Sequence, residues 1–103
     1  MICTRHDSHA HYAINAAKNR KNIFIEKPLA LTIEECLDIE RVVARYGVYF
    51  QLGFQNRFES RIQKVKEVIK YPIALLGRFV GGCWSEQIWA WDKVAGGGYI
   101  LSA

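Results

Sequence analysis

Ile23-Phe24-Ile25 runs straight into Glu26-Lys27-Pro28, and this junction limits the folds open to the chain. Three consecutive β-favouring apolar residues predict a short strand buried on both faces, as in a parallel sheet. Pro28 then removes a backbone donor and ends the strand. A charged pair at the carboxyl end of a buried strand sits at the rim of an open α/β sheet, where such folds place their ligands. Lys27 is therefore the first candidate for chemistry. Taken alone, it also reads as a strand-end lysine in solvent, the commoner fate of lysines.

The flanking residues predict a sheet of that kind. Met1–Thr4 reads as the last residues of a strand. Asp7 or Ser8 is placed to cap a helix in which Ala10, Ala13, Ile14 and Ala17 recur at helical spacing. Side chains this small let a helix lie close against a sheet. Lys18, Arg20 and Lys21 collect at its carboxyl end, where the helix dipole favours positive charge. Thr32-Ile33-Glu34-Glu35 spells a capping box. The helix behind it carries Ile33, Cys36, Ile39, Val43 and Tyr46 on one face and stops at Gly47. Val48–Leu52 alternates as the next strand. Strands and helices in strict alternation, joined by short turns, make βαβ units and imply a parallel sheet.

Beyond Leu52 the character changes. Gly53-Phe54-Gln55-Asn56-Arg57 combines a glycine, two amides and an arginine at a strand end, the mark of a ligand-facing turn. A helix from Phe58 to Lys70 is expected to bury Phe58, Ile62, Val65 and Ile69, and Pro72 breaks it. Leu75–Val80 reads as another strand. Trp84, Trp89 and Trp91 suit core or interface positions better than a stacking platform. Both ends read as cut, so an internal piece of a longer chain is expected.

Composition excludes several functions. Half of the 103 residues are hydrophobic and 23% are charged, which permits a core and argues against disorder. The net charge of +4 suits an anionic ligand such as a nucleotide phosphate, but is far from a nucleic-acid footprint. Arg61, Lys64, Lys66 and Lys70 alternate with Glu59 and Glu67 as a solvated helix face would. Cys3, Cys36 and Cys83 include no C-x-x-C pair, so neither a zinc site nor a disulfide framework is indicated. Cys3 and Cys36 suit buried apolar positions, in a reduced, cytoplasmic setting. His6 and His11 are expected at the surface, and no His/Asp/Glu spacing suggests a metal site. No apolar run approaches the length of a bilayer span, so no membrane partner is expected.

Four motifs stand in order: Thr4-Arg5-His6-Asp7-Ser8-His9-Ala10, Glu26-Lys27-Pro28-Leu29-Ala30, Gly53-Phe54-Gln55-Asn56-Arg57-Phe58, and Trp91-Asp92 ahead of Gly96-Gly97-Gly98. This series resembles the Gfo/Idh/MocA family, the glucose–fructose oxidoreductase and inositol dehydrogenase group, along essentially the whole chain. The resemblance implies the carboxyl-terminal half of a Rossmann-type parallel sheet (residues 1–53, binding NAD or NADP). It implies that residues 54–103 begin a second α/β or α+β domain for substrate and oligomer contacts. It also implies hydride transfer to or from a sugar, inositol or related polyol, in a homo-oligomeric parent.

Carried over by position, Lys27 would hydrogen-bond the reacting substrate oxygen. Thr4 and His9 would lie beside the nicotinamide ribose, and Glu26 near the nicotinamide. The proline of this motif, here Pro28, often follows a cis bond. Arg57 would face substrate or cofactor, or form an interdomain ion pair. The chain departs from the pattern in lacking G-x-G-x-x-G and the ribose-binding acid, and neither Gly81-Gly82 nor Gly96–Gly98 substitutes for them. The family's catalytic histidine would fall past Ala103, Ser102 stands where many members carry an acid, and Arg5 replaces a common proline. The isolated 103 residues are therefore expected to transfer no hydride and to fold poorly, with strand edges uncovered.

Overall fold

A computed structural model describes residues 1–74, 76, 78, 89 and 92–97. They fall into two units by internal contact. The first holds Met1–Gly53 with the described residues between 85 and 103, and the second holds those of Phe54–Trp84.

In the first unit a 3₁₀ turn at His6–Ser8 leads into α1 (His9–Lys18), β1 (Ile23–Ile25), α2 (Ile33–Tyr46) and β2 (Phe50–Leu52). The strands are parallel, with Ile23 opposite Phe50 and Ile25 opposite Leu52. Ile2 adds a parallel bridge on the other side of β1, donating to Phe24 O at 2.8 Å and accepting from Glu26 N at 3.0 Å. β1 is thus the middle of three parallel segments, as the alternation of elements predicts. Crossovers of constant hand that step in one direction put successive helices on one face of the sheet. Accordingly Ala10, Ala13 and Ala17 of α1 and Ile39 of α2 form one core with Ile2, Ile23, Ile25 and Ala30.

The opposite face is bare. Ile23 and Ile25 point to the helices, but Phe24 between them is 40% exposed, so β1 is buried on one face and not on both. Met1 and Tyr49 are exposed as well. Strand residues alternate sides, and no described layer covers the second side. Ile33 is also exposed (74%), because it opens the first turn of α2 beyond the sheet. Cys3 is exposed rather than buried. Cys36 is half-buried, and its burial, aided by Glu35, raises the thiol pKa.

Local signals hold more closely. Thr32 Oγ1 accepts from Glu35 N at 3.2 Å, while Glu35 Oε2 accepts from Thr32 N at 3.2 Å and from Leu31 N at 3.0 Å. Thr32→Ala is expected to cost about 1 kcal/mol by removing this cap, measured as a lower denaturation midpoint. Gly47 ends α2 at φ 63°, a left-handed conformation that favours glycine. Ser8 precedes α1, but its hydroxyl is engaged behind the helix, donating to Arg5 O and paired with the Thr4 hydroxyl, each at 2.8 Å, so it makes no side-chain cap bond.

The second unit holds a 3₁₀ turn (Gln55–Phe58) and α3 (Ser60–Val68). Phe58, Ile62, Val65 and Ile69 are exposed, against the expectation that this helix buries them. An apolar stripe needs a facing layer, and the described part of the unit offers α3 mainly that turn. Arg61 pairs with Glu59 and Lys64 with Glu67 in the solvated pattern expected, each at 3.0 Å. Of the expected strand at Leu75–Val80 only Leu76 and Arg78 are described, and Cys83, Trp84, Trp91 and Gly98 lie outside the described residues. Among the described residues no helix is long and apolar enough to cross a membrane.

Candidate active site

Because the three segments run parallel, Thr4, Glu26-Lys27 and Gly53 all emerge on one edge, at the carboxyl ends of the strands. An open α/β sheet binds its ligands at that edge. Glu26 N and Gly53 N close the last rungs, donating to Ile2 O at 3.0 Å and to Ile25 O at 2.8 Å. Beyond them the chain turns. Glu26 is half-buried and folds its carboxylate back, accepting from Lys27 N at 3.1 Å. Lys27 is half-buried and Pro28 buried, and the peptide bond between them is cis.

Gly53 permits a close approach. A Cβ there would stand 3.2 Å from Glu26 Oε1 and 3.2 Å from Ile25 O, tighter than ordinary van der Waals contact. The ends of β1 and β2 therefore come together around the Glu26 carboxylate, next to Lys27.

His9 lies under this edge and is 0% exposed. Its Nδ1 meets Pro28 O at 2.7 Å and its Nε2 meets Thr4 O at 3.1 Å. Among the described residues no buried side-chain nitrogen or oxygen lacks a partner.

Within the first unit, His6 meets described residues from beyond position 85. This half-buried side chain places Nδ1 2.9 Å from Gly96 O and sets its ring edge-on to Trp89 at 4.8 Å. Arg5 lies over the same indole, 5.4 Å from its centroid. Residues 90 apart make this contact, and no local pattern in the sequence announces it. His11, by contrast, is exposed and accepts from Asn15 Nδ2 at 3.0 Å.

Asp92 Oδ1 accepts from Val94 N and Ala95 N, both at 2.8 Å, and Gly96 N donates to Asp92 O at 2.9 Å. The Ala95 and Val94 amides hold this carboxyl below the usual aspartate range. Its folded pKa lies under its unfolded one, so the turn is favoured at neutral pH and loses that support as pH falls through the folded value. An NMR titration of the Asp92 carboxyl carbon is expected to give a midpoint below about 3.9.

Of the predicted site residues, Thr4, His9, Glu26, Lys27 and Pro28 come together in the first unit. Arg57 belongs to the second, in the turn Gln55–Phe58, where its guanidinium lies 5.2 Å from the Phe54 ring centroid. Its carbonyl accepts from Gln63 Nε2.

Residues 1–54 match the model of an oxidoreductase family with an NAD-binding Rossmann fold, GFO_IDH_MocA. A scyllo-inositol 2-dehydrogenase (NAD(+)) of Bacillus subtilis is 39% identical over 69 residues, 67% of this chain and 20% of that protein. A 2,7-anhydro-N-acetylneuraminate hydratase of Escherichia coli is 36% identical over 70 residues, 68% of this chain and 19% of the hydratase. The crystal structure of a scyllo-inositol dehydrogenase from Lactobacillus casei superposes with a TM-score of 0.61 at 31% identity, covering 65% of this chain and 20% of that one. The chain thus spans about a fifth of the length of the curated relatives it matches. Its first unit is α/β, part of a Rossmann-type sheet.

Proposed function

Because the chain belongs to the Gfo/Idh/MocA oxidoreductase family, we propose that it is the middle segment of an NAD(P)-dependent enzyme moving a hydride to or from a sugar, inositol or related polyol. The observation that carries this reading is the half-buried Lys27 at the carboxyl end of the central strand, flanked by the ends of both its neighbours. The donor set at this edge fits the nicotinamide end of such a cofactor, since Gly53 lets the end of β2 close on the Glu26 carboxylate and so sets a carboxylate beside Lys27 there. When bound, the nicotinamide supplies the two-electron carrier for the substrate carbon.

The chain's own residues do the rest. Lys27 holds the reacting substrate oxygen with its ammonium and stabilises the negative charge that develops there. Thr4, Glu26 and Pro28 form the cofactor side of the site, with His9 beneath them. Residues 1–53 belong to the NAD(P)-binding domain, and 54–103 begin the substrate and oligomerisation domain of a cytoplasmic homo-oligomer. Within that second stretch, Trp89 and residues 92–97 group with the first unit by internal contact.

Similarity to a hydratase favours a second reading, in which the same edge serves the hydration of an anhydro sugar. The test is to assay the full-length protein with NAD or NADP and a panel of polyols, following absorbance near 340 nm, roughly the maximum of the reduced ring. Polyol-dependent reduction is expected. Turnover of an anhydro sugar with no net absorbance change supports the hydratase reading, and no turnover of either kind supports a noncatalytic α/β module.

A further inference from the structure

We infer that His9 is a positioning residue: it holds the Lys27-Pro28 turn against α1 through a hydrogen bond from its imidazole to the Pro28 carbonyl, with the Thr4 carbonyl beside its other ring nitrogen. This rests on the reading of Lys27 as the catalytic lysine.

Side chains that touch a cofactor present a polar atom to the ligand. His9 presents none, being 0% exposed with Nδ1 at 2.7 Å from Pro28 O and Nε2 at 3.1 Å from Thr4 O. A carbonyl oxygen only accepts, so a ring nitrogen bonded to it must carry the proton. A neutral imidazole has one N–H and satisfies one of the two carbonyls at a time. The shorter contact favours Pro28 O as the acceptor, and with it a proton on Nδ1.

The position of that bond gives it its effect. Pro28 directly follows Lys27, and Thr4 is the residue at the end of the neighbouring segment. His9 itself is anchored at the first residue of α1. The imidazole therefore fastens the Lys27-Pro28 turn of the active edge to the rigid helix under it. A misplacement of about 1 Å costs on the order of 100-fold in a reaction that depends on alignment.

The amides of asparagine and glutamine separate the two contacts. Asparagine places its NH₂ near the position of Nδ1, and glutamine near that of Nε2. In the full-length enzyme, His9→Asn keeps a donor for Pro28 O and is expected to hold kcat within about 3-fold. His9→Gln loses that donor and is expected to lower kcat by about 10-fold or more, with NAD affinity changed less than about 3-fold. Equal kcat in the two variants, or a loss confined to NAD affinity, overturns the inference.

A measurement on the unaltered protein guards against variants that do not fold. ¹⁵N–¹H spectra of the His9 ring are expected to show a slowly exchanging proton on Nδ1, and an unprotonated Nδ1 overturns the inference. Full activity of Lys27→Ala would sink the catalytic reading instead. The Nδ1 proton would then still report whether His9 holds the turn.

Discussion

Lys27→Ala in the full-length protein is expected to lower kcat/KM for polyol oxidation by about 10²- to 10⁴-fold, the usual effect of removing a group that handles a proton or charge in the transition state. Binding of NAD or NADP is expected to change by less than about 3-fold, because the loss falls on the reacting oxygen rather than on the dinucleotide. Lys27→Arg separates charge from geometry. A guanidinium keeps the charge but is planar and does not release its proton, so it replaces a compact ammonium poorly. It is expected to rescue little. A lysine that merely reached into solvent would give unchanged steady-state kinetics in both variants, and that result would sink the assignment.

The strength of this expectation comes from where the sheet puts the residue. Ile2, β1 and β2 run parallel, so three carboxyl ends share one edge and Lys27 leaves the middle one. A lysine at the end of an edge strand would have solvent on one side. Here the Gly53 end of β2 closes in on Glu26 from one side, and the segment ending at Thr4 lies on the other. Lys27 thereby starts from backbone held on both sides by neighbouring segments, the rigid support that catalytic placement requires.

The parts of this arrangement that depend on neighbouring residues were legible in the sequence. The strand at Ile23–Ile25 stops before Pro28, the capping box closes at Thr32 and Glu35, and Gly47 takes the left-handed conformation. Each obeys a rule written over three to five residues. Burial was less legible, because it depends on what lies opposite. Phe24 has the composition of a two-sided buried strand, yet one side is uncovered; Ile62 and Val65 have helical spacing but no described layer to face. The candidate site divides in the same way. Glu26-Lys27-Pro28 could be found from its place at a strand end. The bond from His6 to Gly96 could not, because only the folded chain brings these residues together. Nor could the two contacts of the His9 ring, whose partners lie five residues before it and nineteen after.

His9→Leu is expected to destabilise the first unit by about 2 kcal/mol, within the roughly 1–3 kcal/mol expected when one buried carbonyl, Pro28 O, is left without its donor. Leucine is close enough in size to fill most of the space, so a cavity adds little and the loss reports the hydrogen bond. Chemical denaturation of the full-length protein, followed by a probe in this unit, measures it. The comparison with His9→Asn is decisive: a retained donor to Pro28 O is expected to recover about 1 kcal/mol or more. If leucine and asparagine are equally stable, the imidazole contributes by packing alone. A loss of about 2 kcal/mol, the cost of one buried carbonyl left without its donor, partly recovered by the amide, would instead show that the ring ties Pro28 to α1, and that the edge carrying Lys27 is held in place by a side chain no ligand touches.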